Sequence, residues 1–304
     1  MQDTGLELYE KNARLMKRAT YASVITGSLL AAIKLVAYLF TGSVAMLSSL
    51  VDSLLDIVAS LINLIAVRHS LVPADEEHRF GHGKVESIAG LAQAAFITGS
   101  ALFIIFEAVN RLVNPGPILH GTFGIVVMIV SIVVTALLVM YQRHVIKKTK
   151  SVAINADSLH YFSDLLVNAS VIVAIVLSTT LGWTLADPLI AIGIAAFIMY
   201  SAWQIAKECL NQLMDRELPD GARENIESIA MSHKEVMDVH HLRTRTSGRD
   251  IFIQFHIKMD RSLPLETAHR IAVEVESEIV KAYPNADVII HQDPDNEKEE
   301  HSRE

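Results

Sequence analysis

Six apolar runs, each long enough to cross a bilayer, constrain this chain more than any other feature. A spanning helix needs about 20 predominantly apolar residues, and such runs occur at Ala19 to Phe40, Val44 to Val67, Ser87 to Val113, Gly121 to Tyr141, Ser158 to Leu181 and Asp187 to Cys209. In hydrocarbon a backbone must satisfy its own hydrogen bonds, so runs of this kind are read as helices. The composition agrees, with 51% hydrophobic residues and a mean hydropathy of +0.34. Six spans return both termini to one side of a lipid bilayer. The connections Thr41 to Ser43, Asn114 to Gly121 and Gly182 to Asp187 carry no Lys or Arg. The opposite side carries Lys11, Arg14, Lys17 and Arg18, then Arg68, Arg79 and Lys84, then Arg143, Lys147, Lys148 and Lys150. By the positive-inside rule the termini are expected in the cytoplasm. Nothing at the N-terminus resembles a cleavable signal, because the charged stretch Glu7 to Arg18 runs straight into the first span.

After Leu210 the pattern becomes that of a soluble module, which divides the chain into a six-span domain at 1–209 and a second domain at 210–304. Ala222 to Ser232 is amphipathic with helical period. In Ile251 to Met259 apolar residues alternate, the signature of a strand. A helix over Leu265 to Ala282 and a short strand over Asp287 to His291 follow. The order helix, strand, strand, helix, strand predicts a compact α+β (αββαβ) domain. The net charge of −8 is concentrated in the last third and in the tail Asp293 to Glu304, which argues against nucleic acid as a partner. One cysteine, Cys209, excludes an internal disulfide and any cysteine zinc cluster. A metal must therefore be held by His and carboxylates.

Such residues lie where they are costly. Asp52 and Asp56, in DSLLD of the second span, are four apart and leave one helix face together. A carboxylate at the centre of a spanning helix costs about 2.5 kcal/mol or more on insertion scales. The fifth span repeats the spacing with His160 and Asp164 in HYFSD. Three carboxylates and one imidazole suit a tetrahedral ion such as Zn²⁺. As interhelical packing glue the same groups would set three acids against one base, whereas a dication neutralises them.

DSLLD, HYFSD, the loop HRFGHGK (His78 to Lys84) and IIHQDP (Ile289 to Pro294), in this order over six spans, resemble the bacterial zinc and ferrous-iron efflux pumps of the cation diffusion facilitator family. The resemblance covers nearly the whole chain. It implies a homodimer that exchanges a cytoplasmic divalent cation for protons by alternating access, with no organic cofactor. It implies a transport site at Asp52, Asp56, His160 and Asp164, a second site at Asp75, His78 and His82, and a cytoplasmic cluster of His240, His256, His291 and Asp293 with His269 as a further ligand. The soluble module would then be of the metallochaperone-like kind. Lys84 and Asp215 would form a charged contact at the dimer centre.

The residues themselves carry part of this. An empty site of three carboxylates and a neutral His holds three negative charges, and one with a dication bound, so protons and metal compete for the same lone pairs. Asp75, His78 and His82 have helix-like spacing, though a solvated loop turned by Gly81 and Gly83 explains them as well. His291 and Asp293 face one way if the last strand runs through them. His241, next to His240, leaves their assignment open from spacing alone. Glu107 and Arg111 are placed to pair at i, i+4. Zn²⁺ suits mixed His and carboxylate ligands best, with Fe²⁺, Cd²⁺ and Co²⁺ as alternatives, while Mg²⁺ and Ca²⁺ prefer oxygen alone. A membrane-embedded metalloenzyme would need an open position for water and a separate base, and no HExxH or serine nucleophile lies on these helices. A passive metal channel is the other alternative.

Overall fold

The computed structural model describes residues 2–114, 122–181, 183 and 185–295. The expected turn over 115–121, Gly182 and Thr184 of the last extramembrane turn, and the acidic tail from 296 onward lie outside the described residues. The chain forms two compact units, Lys11–Leu210 and the combination of Met1–Glu10 with Asn211–Glu304.

Among the described residues, six helices are long and apolar enough to cross a membrane. They are α1 (Gln2–Thr41), α2 (Val44–Ser70), α3 (Lys84–Val113), α4 (Thr122–Thr149), α5 (Val152–Leu181) and α6 (Ala186–Leu213). Most outlast the apolar runs that announced them. α4 continues through the basic stretch to Thr149, and α5 begins at Val152 rather than Ser158. Charged flanks are good helix formers, so the apolar run marks what sits in lipid and not where the helix stops.

Large side chains such as Phe40, Phe103, Phe106 and Met140 face outward, while the buried contacts between helices mix small residues such as Ala101, Ala195 and Ala202 with larger ones such as Ile97 and Ile198. Gly90 of α3 shows why small residues are needed where two helices approach closely. A Cβ there would lie 2.7 Å from the sulfur of Cys209 on α6, a separation real side chains do not tolerate. The N-terminus of α5 is capped from α3: buried Glu86 accepts hydrogen bonds from the hydroxyl of Ser151 and the backbone N–H of Ala153. A carboxylate there satisfies donors the helix cannot pair and opposes its dipole. Thr20, Ser23, Thr98 and Ser163 donate to carbonyls four residues back, satisfying polar groups inside the helices that carry them.

In the second unit α7 (Asp220–Met231), β1 (Asp238–Ser247), β2 (Asp250–Met259), α8 (Leu265–Ala282) and β3 (Ala286–Pro294) follow in the expected order. The sheet runs β1-β2-β3, antiparallel between β1 and β2 and parallel between β2 and β3. A parallel pair requires a crossover, which α8 supplies. Ile253, Phe255 and Ile257 of β2 pack with Ile226 of α7 and with Ile271, Val275 and Ile279 of α8. The alternate residues Gln254, His256 and Lys258 lie on the sheet's other side, which sets where ligand-type side chains can gather.

Candidate metal centres

Three groups of described residues place ligand atoms within 4.8 Å of one another: Asp56, His160 and Asp164; Asp75, His78 and His82; and His240, His256 and Asp293. In the first, Nε2 of His160 on α5 lies 3.0 Å from Oδ1 of Asp56 on α2 and 3.8 Å from Oδ2 of Asp164, one turn further along α5. His160 is almost fully buried. Its neighbour Tyr161 is fixed by Ser60 at 2.9 Å and by the Ser23 carbonyl at 3.1 Å, which holds this part of α5 against α1 and α2. Asp52 is exposed and lies outside the group.

The sequence reading missed Lys34, in the apolar run of α1. Its ammonium donates to the Ser53 hydroxyl at 2.7 Å and the Ser49 carbonyl at 3.2 Å, and its charge acts on both Asp52 and Asp164. With Lys34 counted, a second basic side chain joins His160 beside the carboxylates, and a protonated Lys34 would offset one of their negative charges. The signal was available, because a lysine inside a spanning run is itself costly and calls for a partner. Asp157, one turn before His160, is buried and accepts from Ser23 at 2.6 Å and Gln142 at 2.7 Å, bracing α5 against α1 and α4.

The second group sits between α2 and α3, and its helix-like spacing proves misleading because the segment is irregular. Gly81, with φ of +75°, makes a turn. Asp75 Oδ1 accepts from the backbone N–H of Glu77 at 3.0 Å and of His78 at 2.7 Å, an Asx turn. The bond from His78, with the nearby imidazoles, keeps the Asp75 carboxyl below the usual carboxylate range. Nε2 of His82 is 3.4 Å from Asp75 Oδ2 and Nδ1 of His78 is 3.6 Å from Oδ1. His82 is buried, so this cluster is less exposed than a solvated loop would make it.

In the C-terminal unit, sheet register assembles the donors. His240 pairs with His256, and His256 with His291, as a row across the three strands. β3 runs through Asp293, whose Oδ2 lies 3.1 Å from His240 Nε2 and 2.9 Å from His256 Nδ1. Its Oδ1 lies 3.2 Å from His291 Nε2. Burial pushes the Asp293 carboxyl up, but the hydrogen bond with His256 and the surrounding imidazoles outweigh it and hold it below its ordinary value. His241 stands beside this group without being part of it. A bulge between His240 and Arg243 puts His241 at a φ of +50°, and its ring centres 5.2 Å from His240 and 5.3 Å from His256. Regular alternation would have sent adjacent residues to opposite faces. His269 is exposed on α8 and outside the cluster. Asp215, just after α6, receives Arg245 at 3.4 Å, while Lys84 opens α3. Arg111 pairs with Glu107 as expected, at 2.9 Å, and also with Asp187 at 2.9 Å.

Ligand-type residues facing one another between spanning helices, joined to a soluble module with a second such cluster, are the build of a membrane cation transporter. Residues 20–214 match the cation efflux transmembrane domain, and residues 218–295 match the cation efflux protein cytoplasmic domain. The cation-efflux pump FieF of Escherichia fergusonii is 50% identical over 281 residues, 92% of this chain and 93% of that protein. FieF of Citrobacter koseri is 49% identical over the same shares. Among solved structures, the metal-bound C-terminal domain of the CzcD transporter from Thermotoga maritima is 26% identical, covering 26% of this chain and 93% of its own, with a TM-score of 0.25. The chain belongs to the cation efflux family of divalent-cation transporters, the cation diffusion facilitators. It is a multi-pass membrane transporter and not an enzyme.

Proposed function

We propose that this protein exports Zn²⁺ from the cytoplasm across a bacterial inner membrane in exchange for protons, as a homodimer that alternates access to a site formed by Asp52, Asp56, His160 and Asp164. The observation that carries this is the convergence of Asp56, His160 and Asp164 within 4.8 Å, from two helices, near the middle of their spans. One imidazole nitrogen with carboxylate oxygens favours Zn²⁺ over harder ions. Asp52, on the same α2 face as Asp56, completes four ligands by a side-chain rotation or a small helix shift. Each ligand binds either a proton or the metal, so a proton gradient drives the exchange. Lys34 is fixed beside this site by Ser49 and Ser53. It offsets part of the repulsion among the acids when the site holds no ion.

The cluster of His240, His256, His291 and Asp293 serves regulation on this reading. It lies in a polar module that cannot enter the bilayer, and bound metal would shift the population of domain arrangements rather than travel. The test is radiometal uptake into proteoliposomes with and without an imposed pH gradient. Zn²⁺ uptake should rise with the gradient, and internal pH should change in step. Zn²⁺ flux that moves no protons would leave a passive channel as the better account.

A further inference from the structure

The loop group of Asp75, His78 and His82 is one donor short of the four that enclose a structural zinc. His69, in the last turn of α2, stands beside it. Its ring centres 4.7 Å from that of His82, edge to face, and His78 centres 4.5 Å from the same ring. His82 therefore has two imidazoles at nearly equal distances. Two imidazoles on one tetrahedral Zn²⁺, each bound at about 2.0–2.1 Å, have their ligating nitrogens about 3.4 Å apart. Ring centres 4.5–4.7 Å apart allow that separation once the rings turn about their side-chain bonds.

His82 supplies a second, independent sign. It is 6% exposed, and its Nδ1 has no hydrogen-bond partner among the described residues. A buried donor or acceptor left unsatisfied is destabilising, and a metal, or a bond made as the ring reorients toward one, removes that cost. His69 is exposed and lies outside the group as the side chains stand, so its ring must turn to reach the ion.

We infer that His69 is the fourth ligand of the loop site, giving a His₃Asp set that encloses one Zn²⁺ or Co²⁺. This rests on the reading of Asp75, His78 and His82 as a metal site and deepens it. Four protein ligands make a closed site that releases its ion slowly, so the loop ion is a fixed clip and not a station on the transport path. The clip would join the end of α2 to the segment entering α3. α2 carries Asp56 thirteen residues earlier, about 20 Å along the same helix, so loop metal would bear on the orientation of the transport helix.

The experiment uses the full chain in detergent with the other two groups silenced by Asp56→Ala, Asp164→Ala, His256→Ala and His291→Ala. Co²⁺ is the probe, read by its visible absorption, which is intense when the ion is tetrahedral. The silenced protein should bind one Co²⁺ with such a band. Adding His69→Ala should raise the Kd by about tenfold or more, ~1.4 kcal/mol, and weaken the band. X-ray absorption on the Zn²⁺ form should count three imidazoles before the change and two after it. Unchanged affinity and band with His69→Ala, while Asp75→Ala abolishes binding, would overturn the role of His69 and leave the loop site standing. No Co²⁺ binding by the silenced parent would overturn both.

Discussion

The intramembrane group and the C-terminal cluster are built from the same two residue types by opposite means. In the membrane, helical period does the work: His160 and Asp164 share a face because they are four apart, and α2 brings Asp56 within 3.0 Å of His160. In the soluble unit, His240, His256 and His291 come from three strands and meet through register. The donors differ in proportion as well. Carboxylates outnumber histidines in the first group and the reverse holds in the second. A carboxylate-rich set in an apolar span is unstable without a cation, which suits an ion that must be loaded and released. A histidine row on a partly exposed sheet stands without its ion, which suits a sensor.

The sharpest way to break this contrast is to remove ligands from each group and compare flux. Asp56→Ala or Asp164→Ala should lower initial Zn²⁺ flux on the order of 100-fold, which corresponds to about 2.7 kcal/mol in the barrier. Each takes away a donor without disturbing the apolar surface that sets the fold, so insertion and assembly should be unchanged. The double variant His256→Ala with His291→Ala should keep flux within about threefold of the parent at saturating metal, ~0.7 kcal/mol by the same relation, and lose stimulation by rising metal. Equal losses in both experiments would erase the distinction between carrying and sensing.

A narrower effect is expected for selectivity. His160→Asp converts the mixed set into one of oxygen donors alone, so preference should move from Zn²⁺ toward harder ions such as Mn²⁺. Competition of unlabelled metals against ⁶⁵Zn²⁺ in proteoliposomes measures the ranking, and an unchanged order would remove His160 from the ligands.

What could be read from the sequence follows the same division. Helix faces are visible in one dimension, because i, i+4 spacing is a statement about neighbours; DSLLD and HYFSD therefore announced themselves. Sheet register is not, so His240, His256 and His291 could be grouped only through a family resemblance. The span boundaries were blurred where charged flanks continue a helix beyond the lipid, as at Lys147 and Lys148 of α4. Lys34 was lost inside an otherwise apolar run, since a single charge barely changes a window average. Asp75, His78 and His82 show the reverse failure, in which a spacing compatible with a helix belongs to a turn at Gly81.

His241 is the case in which neither kind of pattern helps, and it yields the smallest and most local prediction. A bulge places two residues of one strand against one of its partner, and nothing in the order Val239, His240, His241, Leu242 marks where it falls. The backbone pays for the placement: at a φ of +50° a side chain meets the following carbonyl, at a cost of about 1–2 kcal/mol for most residues and less for Asn, Asp and His. His241→Gly should relieve that strain and raise the stability of the metal-free soluble unit by up to about 1 kcal/mol, the gain being reduced by the greater freedom of glycine in the unfolded chain. His241→Val should lower stability by a similar amount, because a β-branched side chain is the least suited to positive φ. Denaturant unfolding of the full chain in the presence of chelator, followed by a fluorophore on the exposed face of α8, reports both changes as shifts in the midpoint of that unit. If Gly and Val move the midpoint in the same direction, the bulge does not hold His241 in the left-handed region, and regular alternation would carry it away from His240 and His256.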